Sequence, residues 1–201
     1  NSNVLDEVYM STPALPIRYE IGNTGAGPAK SLKCLCASVS SEAGRQEIGR
    51  PQGVTSGNAH CNANVAGTLY AVLGVRLRAA YLAAHVRFTD VHVIGTTNND
   101  NFTWQLLLNP TVAGAFTYSD ITGSALQRAL GDTANTITGG TLLTGGYAIG
   151  TSSFEEKLES ILSVFGSTIA GTADTLVLAV MPIGSAANLD VYGALNWRET
   201  T

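Results

Sequence analysis

Apolar and polar residues alternate with a period of two along most of this chain, and this pattern limits what the chain can fold into. Successive side chains of a β-strand point to opposite faces of a sheet, so the period indicates strands with one buried and one polar face. The clearest alternating segments are Ile17–Ile21, Ala71–Leu77, Phe102–Leu108 and Leu189–Trp197. Because antiparallel sheets can keep one face in water, the pattern predicts antiparallel pairing.

Two further runs are apolar on both faces, Ser31–Val39 and Leu176–Met181, which is typical of central strands. Clusters of Gly, Asn, Asp and Thr separate the runs, for example at 22–25, 96–100 and 139–140. Short strands joined by such turns are typical of β-sandwiches and barrels. The sequence predicts an all-β fold, an antiparallel β-sandwich of jelly-roll type. We expect one domain over residues 1–201, in which 1–14 form a linker or a completing strand.

The segment His85–Ile94 does not alternate evenly. Its apolar residues change parity midway: Val86 and Phe88, then Val91 and Val93. A β-bulge inserts one extra residue into a strand and thereby resets the alternation. We predict a bulge near Thr89–Asp90, which would place all four apolar residues on the core face.

One segment has a helical period instead. Its apolar residues recur at spacings of one, three and four: Phe154, Leu158, Ile161, Leu162 and Phe165. Ser153 and Glu156 have the spacing of a capping box, and Gly166 suits the position after a helix. The pattern predicts one short helix, Ser153–Phe165, of about three turns.

Charge and composition narrow the function classes. The chain has 11 Lys and Arg against 15 Asp and Glu, a net charge of −4, and 13% charged residues. Scattered basic residues on a slightly acidic chain make no basic surface for nucleic acid, so no nucleic-acid partner is expected. No apolar run approaches the ~20 residues of a membrane-spanning helix, so no membrane insertion is expected.

Motifs for catalysis and cofactor binding are absent from the sequence. It has no G-x-S-x-G, H-E-x-x-H or P-loop pattern, and the glycine-rich stretch 22–27 leads into Pro28 rather than into a phosphate-binding helix. We interpret the three cysteines as small buried hydrophobic residues. Metal binding by four residues is the alternative: Cys34, Cys36, His60 and Cys61. We predict no enzyme activity and no catalytic, cofactor-binding or metal-binding residues.

Three weaker candidates for binding remain. His85 and His92 share a face of their strand if the bulge forms, and we expect them to be exposed strand histidines. Five aspartates are candidates for cation binding in loops: Asp90, Asp100, Asp120, Asp132 and Asp174. None of them has the spacing of a calcium-binding loop. Three tyrosines are candidates for a carbohydrate-binding platform: Tyr118, Tyr147 and Tyr192. Packing in the core or in an interface is the favoured interpretation for all three.

Several segments resemble, in the same order, segments of structural proteins of tailed bacteriophages. The first is Leu15–Gly25, which is followed by Leu32–Val39 and Ser41–Gly44. Similar blocks occur farther along the chain: Leu73–Leu77, Trp104–Thr111, Thr138–Thr141 and Leu195–Glu199. The resemblance covers nearly the whole chain and rests on the order and spacing of these segments. Members of the family have further sequence before the segment that matches Val8–Pro13, so we expect this chain to be the C-terminal part of a longer polypeptide.

The resemblance implies a non-enzymatic structural component of a bacteriophage virion, assembled in the host cytoplasm. The expected role is a surface decoration or fibre protein of the head, neck or tail, in contact with other virion structural proteins. We expect a homo-oligomer, with a trimer favoured, because virion parts are built from repeated copies. Apolar residues on a predicted polar face, such as Leu107 and Tyr192, are then expected in interfaces.

Two rival functions belong to other classes. The first is a carbohydrate-binding or receptor-binding module at a tail-fibre or baseplate tip, whose partner would be a host surface glycan. The second is a depolymerase of host polysaccharide, which would need paired carboxylates about 5–10 Å apart in a groove. The sequence itself shows no such pair.

Overall fold

A computed structural model describes residues 49–97, 101–158, 165–168, 170–184 and 188–200. The chain divides into two units, Asn1–Gln46 and Glu47–Thr201, and every described residue lies in the second. The predicted strands at Ile17–Ile21 and Ser31–Val39 therefore lie outside the described residues. A single domain over 1–201 stays a prediction.

The described residues form strands joined by turns, and every strand pairing is antiparallel. In chain order the strands are β1 (Arg50–Thr55), β2 (Cys61–Ala63), β3 (Tyr70–Leu77), β4 (His85–Gly95), β5 (Asn101–Leu108), β6 (Thr111–Val112), β7 (Ser119–Asp120), β8 (Leu126–Leu130), β9 (Ile137–Thr138), β10 (Thr141–Ile149), β11 (Ser153–Lys157), β12 (Thr175–Pro182) and β13 (Leu189–Thr200). A 3₁₀ turn, Ala79–Tyr81, lies between β3 and β4. The all-β prediction is confirmed. In the described part of the chain, no helix has the length and apolar character needed to cross a membrane.

The strands form two main sheets that pack as a sandwich. Sheet A has the order β1-β13-β4-β11, with the short β2 also paired to β13. Sheet B has the order β10-β5-β12-β3-β8-β7, and β6 and β9 form a separate ribbon. Among the long strands, the orders β1-β13-β4-β11 and β3-β12-β5-β10 are those of an eight-stranded jelly roll. The predicted antiparallel sandwich of jelly-roll type is present.

The inner faces of the two sheets share one hydrophobic core. Trp104 of sheet B and Trp197 of sheet A are each only 1% exposed, as the alternation predicted. The Trp197 ring lies 6.0 Å from that of Phe88, and the Trp104 ring lies 5.0 Å from that of Phe154. Large aromatic side chains buried in this way stabilise the contact between the sheets.

The predicted bulge in β4 is confirmed. Asn196 pairs with Asp90 and Trp197 pairs with Phe88, so Thr89 stands opposite no residue of β13. The extra residue restores the alternation, and the four apolar residues around it are all buried: Val86, Phe88, Val91 and Val93. Past the bulge, Asp90 and His92 lie on the outer face of sheet A.

The predicted helix Ser153–Phe165 is wrong over its first five residues, which form the edge strand β11. Ser153–Lys157 pairs with Ile94–Asp90 of β4. A helix cap stabilises a helix by only about 1 kcal/mol. Strand pairing along five residues and the packing of Phe154 on Trp104 together stabilise the strand more than this cap would stabilise a helix. Residues 159–164 lie outside the described residues.

The outer face of sheet B is covered, contrary to the predicted polar face. We define the cover segment as residues 110–118 and 132–138, and it packs a second, smaller core against β5, β3 and β12. Leu107, which we expected in an interface, is 4% exposed within its own chain because it belongs to this core. Alternation along β5 correctly separated the two faces, but it did not show that both are buried.

Candidate functional site

The outer face of sheet A carries a connected set of polar side chains. The strand register places Asn196 opposite Asp90, and His92 opposite Glu155. Side chains of directly opposed residues in antiparallel strands are close enough to interact. Three strands therefore contribute one polar network across the sheet.

Asp90 is the centre of this network. Its Oδ2 accepts a hydrogen bond from Thr89 Oγ1 at 2.8 Å, and its Oδ1 accepts one from Asn196 Nδ2. His92 Nε2 lies 2.8 Å from the same Oδ1. Burial raises the pKa of Asp90, but the hydrogen bonds from Asn196, Thr89 and His92, together with the charge of Lys157, outweigh burial and lower it below its ordinary value. Asp90 is therefore ionised at neutral pH.

The network continues to the edge of sheet A. His92 Nδ1 lies 3.9 Å from Glu155 Oε2, and Lys157 Nζ lies 2.7 Å from Glu155 Oε1. The hydrogen bond and charge of Lys157 lower the pKa of the Glu155 carboxyl below its ordinary value. A carboxylate on each side of His92 fixes the orientation of its ring. The row Asp90, His92, Glu155 and Lys157 thus carries oriented hydrogen-bonding groups across the outer face of sheet A.

Two open grooves lie along this face. The first has a volume of about 590 Å³, and its lining includes Gly53, Asp90, Asn196 and Arg198. A Cβ at Gly53 would collide with Oδ1 of Asn196, so the glycine keeps the groove open above the amide. Asp90 and Asn196 therefore lie in the wall of a space that a ligand can enter.

The second groove has a volume of about 430 Å³ and includes His92, Ile94, Phe154 and Tyr192 in its lining. It is more apolar in character, with Tyr192 placed opposite Ile94 by the strand register. Together the two grooves place an aromatic ring and several planar polar groups on one face. Ligand sites commonly combine an apolar surface with a few oriented polar groups.

A second polar group flanks Tyr192. Asp190 Oδ1 accepts a hydrogen bond from Asn62 Nδ2 at 2.7 Å and lies 3.5 Å from His60 Nε2. The ring centroids of His60 and Tyr192 are 5.8 Å apart. His60 therefore packs against Tyr192 from one side, and Asn62 and His60 both contact Asp190.

The structure does not bring the three candidate tyrosines together. Tyr118 lies under Arg76, whose guanidinium carbon is 4.3 Å from the ring centroid, and burial raises the pKa of Tyr118 to about 12 against the opposing charge of Arg76. Tyr147 lies on β10 and is 80% exposed. Tyr192 alone lies beside the grooves of sheet A, so a platform made of all three is not formed.

The candidate aspartates are held separately. Asp120 Oδ2 lies 2.6 Å from Arg78 Nη2, and Asp132 Oδ1 accepts a hydrogen bond from the Ala134 amide at 2.7 Å. Asp174 accepts from the Asn109 amide group at 2.8 Å. Asp100 lies outside the described residues, and Asp90 belongs to the polar network. Each described aspartate thus has protein hydrogen-bond partners at its own position.

The alternative metal set is not assembled by the described residues. Cys61 is buried, and burial, with Asp132 and Asp190 nearby, raises the pKa of its thiol to about 12. It therefore remains protonated, whereas metals bind the thiolate. His60 contacts Asp190 and Tyr192, and Cys34 and Cys36 lie outside the described residues. Within the described ranges, no three His, Cys, Asp or Glu side chains gather as a group that could hold a metal.

Sequence reasoning found some members of the polar network and missed others. The bulge argument correctly placed His85 and His92 on one face, but they lie seven residues apart along β4. Asn196 belongs to no recognised sequence motif, and Glu155 lies in the segment that was predicted as a helix, Ser153–Phe165. The alternation along β13 could have placed Asn196 on the outer face of the sheet, because Leu195 and Trp197 on either side of it are buried.

In comparisons with known proteins, the chain matches no family model, no curated protein and no solved structure.

Proposed function

We propose that this chain is a non-enzymatic structural component of a bacteriophage virion, a surface decoration or fibre protein of the head, neck or tail. The jelly-roll order of the sandwich carries the proposal, because viral capsid domains use this architecture. The ordered resemblance of its segments to phage structural proteins supports it. The protein would be assembled in the host cytoplasm and would contact other virion proteins.

The physical character of the domain suits repeated packing. Its core is shared by both sheets, and its two tryptophans are buried. A net charge of only −4 on 201 residues causes little repulsion between copies. A homo-oligomer follows from this proposal, since particle proteins close symmetric contacts between identical chains.

The direct test is to locate the chain on particles of the phage that encodes it. Gold-labelled antibody against the chain is imaged by electron microscopy on purified particles, with antibody pre-absorbed on the purified chain as the control. Label over the head indicates decoration or head fibres, whereas label at one vertex or along the tail indicates neck, baseplate or tail. Absence of the chain from the proteins of purified particles, measured by mass spectrometry, would contradict the proposal.

A specific observation favours carbohydrate or receptor binding as a second candidate function. Asp90 and Asn196 are held in the wall of one groove, and Tyr192 borders the next on the same face. Planar carboxylate and amide groups pair with neighbouring sugar hydroxyls, and aromatic rings pack against the apolar face of a sugar. Lectin domains also use the jelly roll. A host surface glycan is the ligand class that this face would recognise.

The second candidate is tested by glycan-array binding of the wild type and of two matched tyrosine variants. We expect Tyr192→Ala to abolish binding, because Tyr192 borders the groove of sheet A. Tyr147→Ala, on the opposite sheet, should leave binding unchanged. Binding lost only in Tyr147→Ala would place the ligand on sheet B, and binding by neither variant nor wild type would remove this function. Release of reducing sugar from host polysaccharide would contradict the non-enzymatic assignment.

A further inference from the structure

The edges of the two sheets differ in how they are protected against pairing with another strand. An exposed edge strand offers unpaired backbone groups, and proteins block such edges with charge, proline or very short strands. In sheet A, β1 carries Arg50 and Pro51, and β11 carries two glutamates and a lysine. In sheet B, β7 has only two residues, one of which is Asp120. Three of the four edges are therefore protected.

The fourth edge, β10, has none of these protections. Its nine residues, Thr141–Ile149, include no charged residue and no proline. Among the described strands it pairs only with β5, on one side. Its single irregularity is a register shift between Leu142 and Thr144, near one end, so Thr144–Ile149 remain in regular register. A regular, uncharged edge of this kind favours pairing with another strand.

Exposed apolar side chains lie along the same strand. Leu142, Tyr147 and Ile149 are 57%, 80% and 52% exposed. Ile183, which is 40% exposed, joins them because its amide bonds to the carbonyl of Asn101, the residue paired with Ile149. We call Tyr147, Ile149 and Ile183 the β10 patch. The cover segment packs against other parts of sheet B and leaves these side chains in solvent.

We propose that β10 pairs edge to edge with β10 of a second copy of this chain, across a two-fold axis. This contact rests on the proposed function in that a virion component is present in many identical copies. Antiparallel pairing of identical strands is self-complementary, since each strand supplies the same row of N–H and C=O groups. Each copy has a net charge of −4, and the β10 patch lets two copies meet without placing like charges in the contact. Self-pairing of β11 would bring its glutamates together instead.

The test measures the mass of the full chain by sedimentation velocity over a range of micromolar concentrations. We expect the wild type to form an even-numbered assembly that is insensitive to salt. Ile149→Lys should weaken self-association by at least about tenfold, because a lysine on an edge strand opposes pairing with another strand and would lose water in the contact. The matched control is Ile94→Lys, at a residue 42% exposed on the outer face of sheet A, and it should leave the mass unchanged.

Hydrogen exchange identifies the contact itself. Amides of 141–149 should become more protected as the wild-type concentration rises, and this change should be missing in Ile149→Lys. Circular dichroism shows whether Ile149→Lys is folded, and Tyr147→Lys replaces it if it is not. The contact would be overturned by a monomer at all concentrations, by a trimer, or by an oligomer that persists in Ile149→Lys and Tyr147→Lys. Failure of the virion proposal is read separately, from the absence of the chain in purified particles.

Discussion

The outer faces of the two sheets have opposite characters, although their strands show the same alternation in sequence. Sheet A exposes an ordered polar network and two grooves, whereas most of the outer face of sheet B is packed beneath the cover segment. Among the described residues of sheet B, large apolar side chains reach solvent along β10. The comparison shows that strand parity identifies which residues share a face, but not whether that face is wet, covered or available to a partner.

Local features explain why the outer face of sheet B is covered and the outer face of sheet A is polar. On sheet B, Gly74 has no side chain, and Phe116 and Tyr118 occupy the space above it. On sheet A, the bulge at Thr89 brings Asp90 to the outer face, where Asn196 and His92 meet it. A small residue thus allows one face to be covered, and an inserted residue makes the other face polar.

The largest expected effects come from the two tryptophans, one from each sheet. We expect Trp104→Ala and Trp197→Ala each to lower the free energy of unfolding by about 3–5 kcal/mol, because both are fully buried. Equilibrium unfolding in urea measures the loss. A near-neutral result for either would mean that this tryptophan is not part of the shared core.

Replacing the same residues with Phe compares the contributions of the two indole N–H groups, one in each sheet. Trp197 Nε1 donates to Glu199 Oε2 at 3.1 Å, whereas Trp104 Nε1 is buried without a hydrogen-bond partner among the described residues. Trp197→Phe should therefore destabilise the protein more than Trp104→Phe, by about 1–2 kcal/mol. Equal losses in urea unfolding would indicate that the Glu199 hydrogen bond contributes nothing to stability.

A pair of glycine variants tests the difference between the faces. A Cβ at Gly74 would lie 2.6 Å from Phe116 Cε1, within the covered face, and Gly74→Val should cost about 1–3 kcal/mol as an overpacking change. At Gly53 the nearest atom is the side-chain oxygen of Asn196, which can turn away, so Gly53→Val should cost less. Thermal unfolding of both variants measures the difference. A larger loss at Gly53 would contradict the view that only sheet B is tightly covered.

The smallest expected effect concerns the pH dependence of the polar network. The pKa of Asp90 is lower in the folded chain than the ordinary value of about 3.9. Its contribution to stability is therefore present above pH ~4 and is lost as the pH falls through the folded pKa. Asp90→Asn should reduce the loss of stability between neutral and acid pH. Unchanged acid sensitivity in this variant would show that other carboxylates account for it.

The properties that follow from neighbouring residues could be predicted before the structure was known. Face parity predicted β3, β5 and β13, and the parity change in His85–Ile94 predicted the bulge in β4. The buried positions of Trp104 and Trp197 followed in the same way. These predictions succeeded because the direction of a side chain from a strand depends on the local backbone alone.

Other properties depended on residues far apart in the chain. Ser153–Lys157 has a helical pattern of its own, yet it becomes a strand because β4 offers it backbone partners. His92 and Glu155 meet only through that pairing, and Leu107 is buried only because the cover segment packs back over sheet B. Burial and hydrogen bonding between residues far apart in sequence outweigh local preferences, which are worth about 1 kcal/mol or less per residue. The packing of the whole sandwich, rather than any one segment, therefore determines these three features.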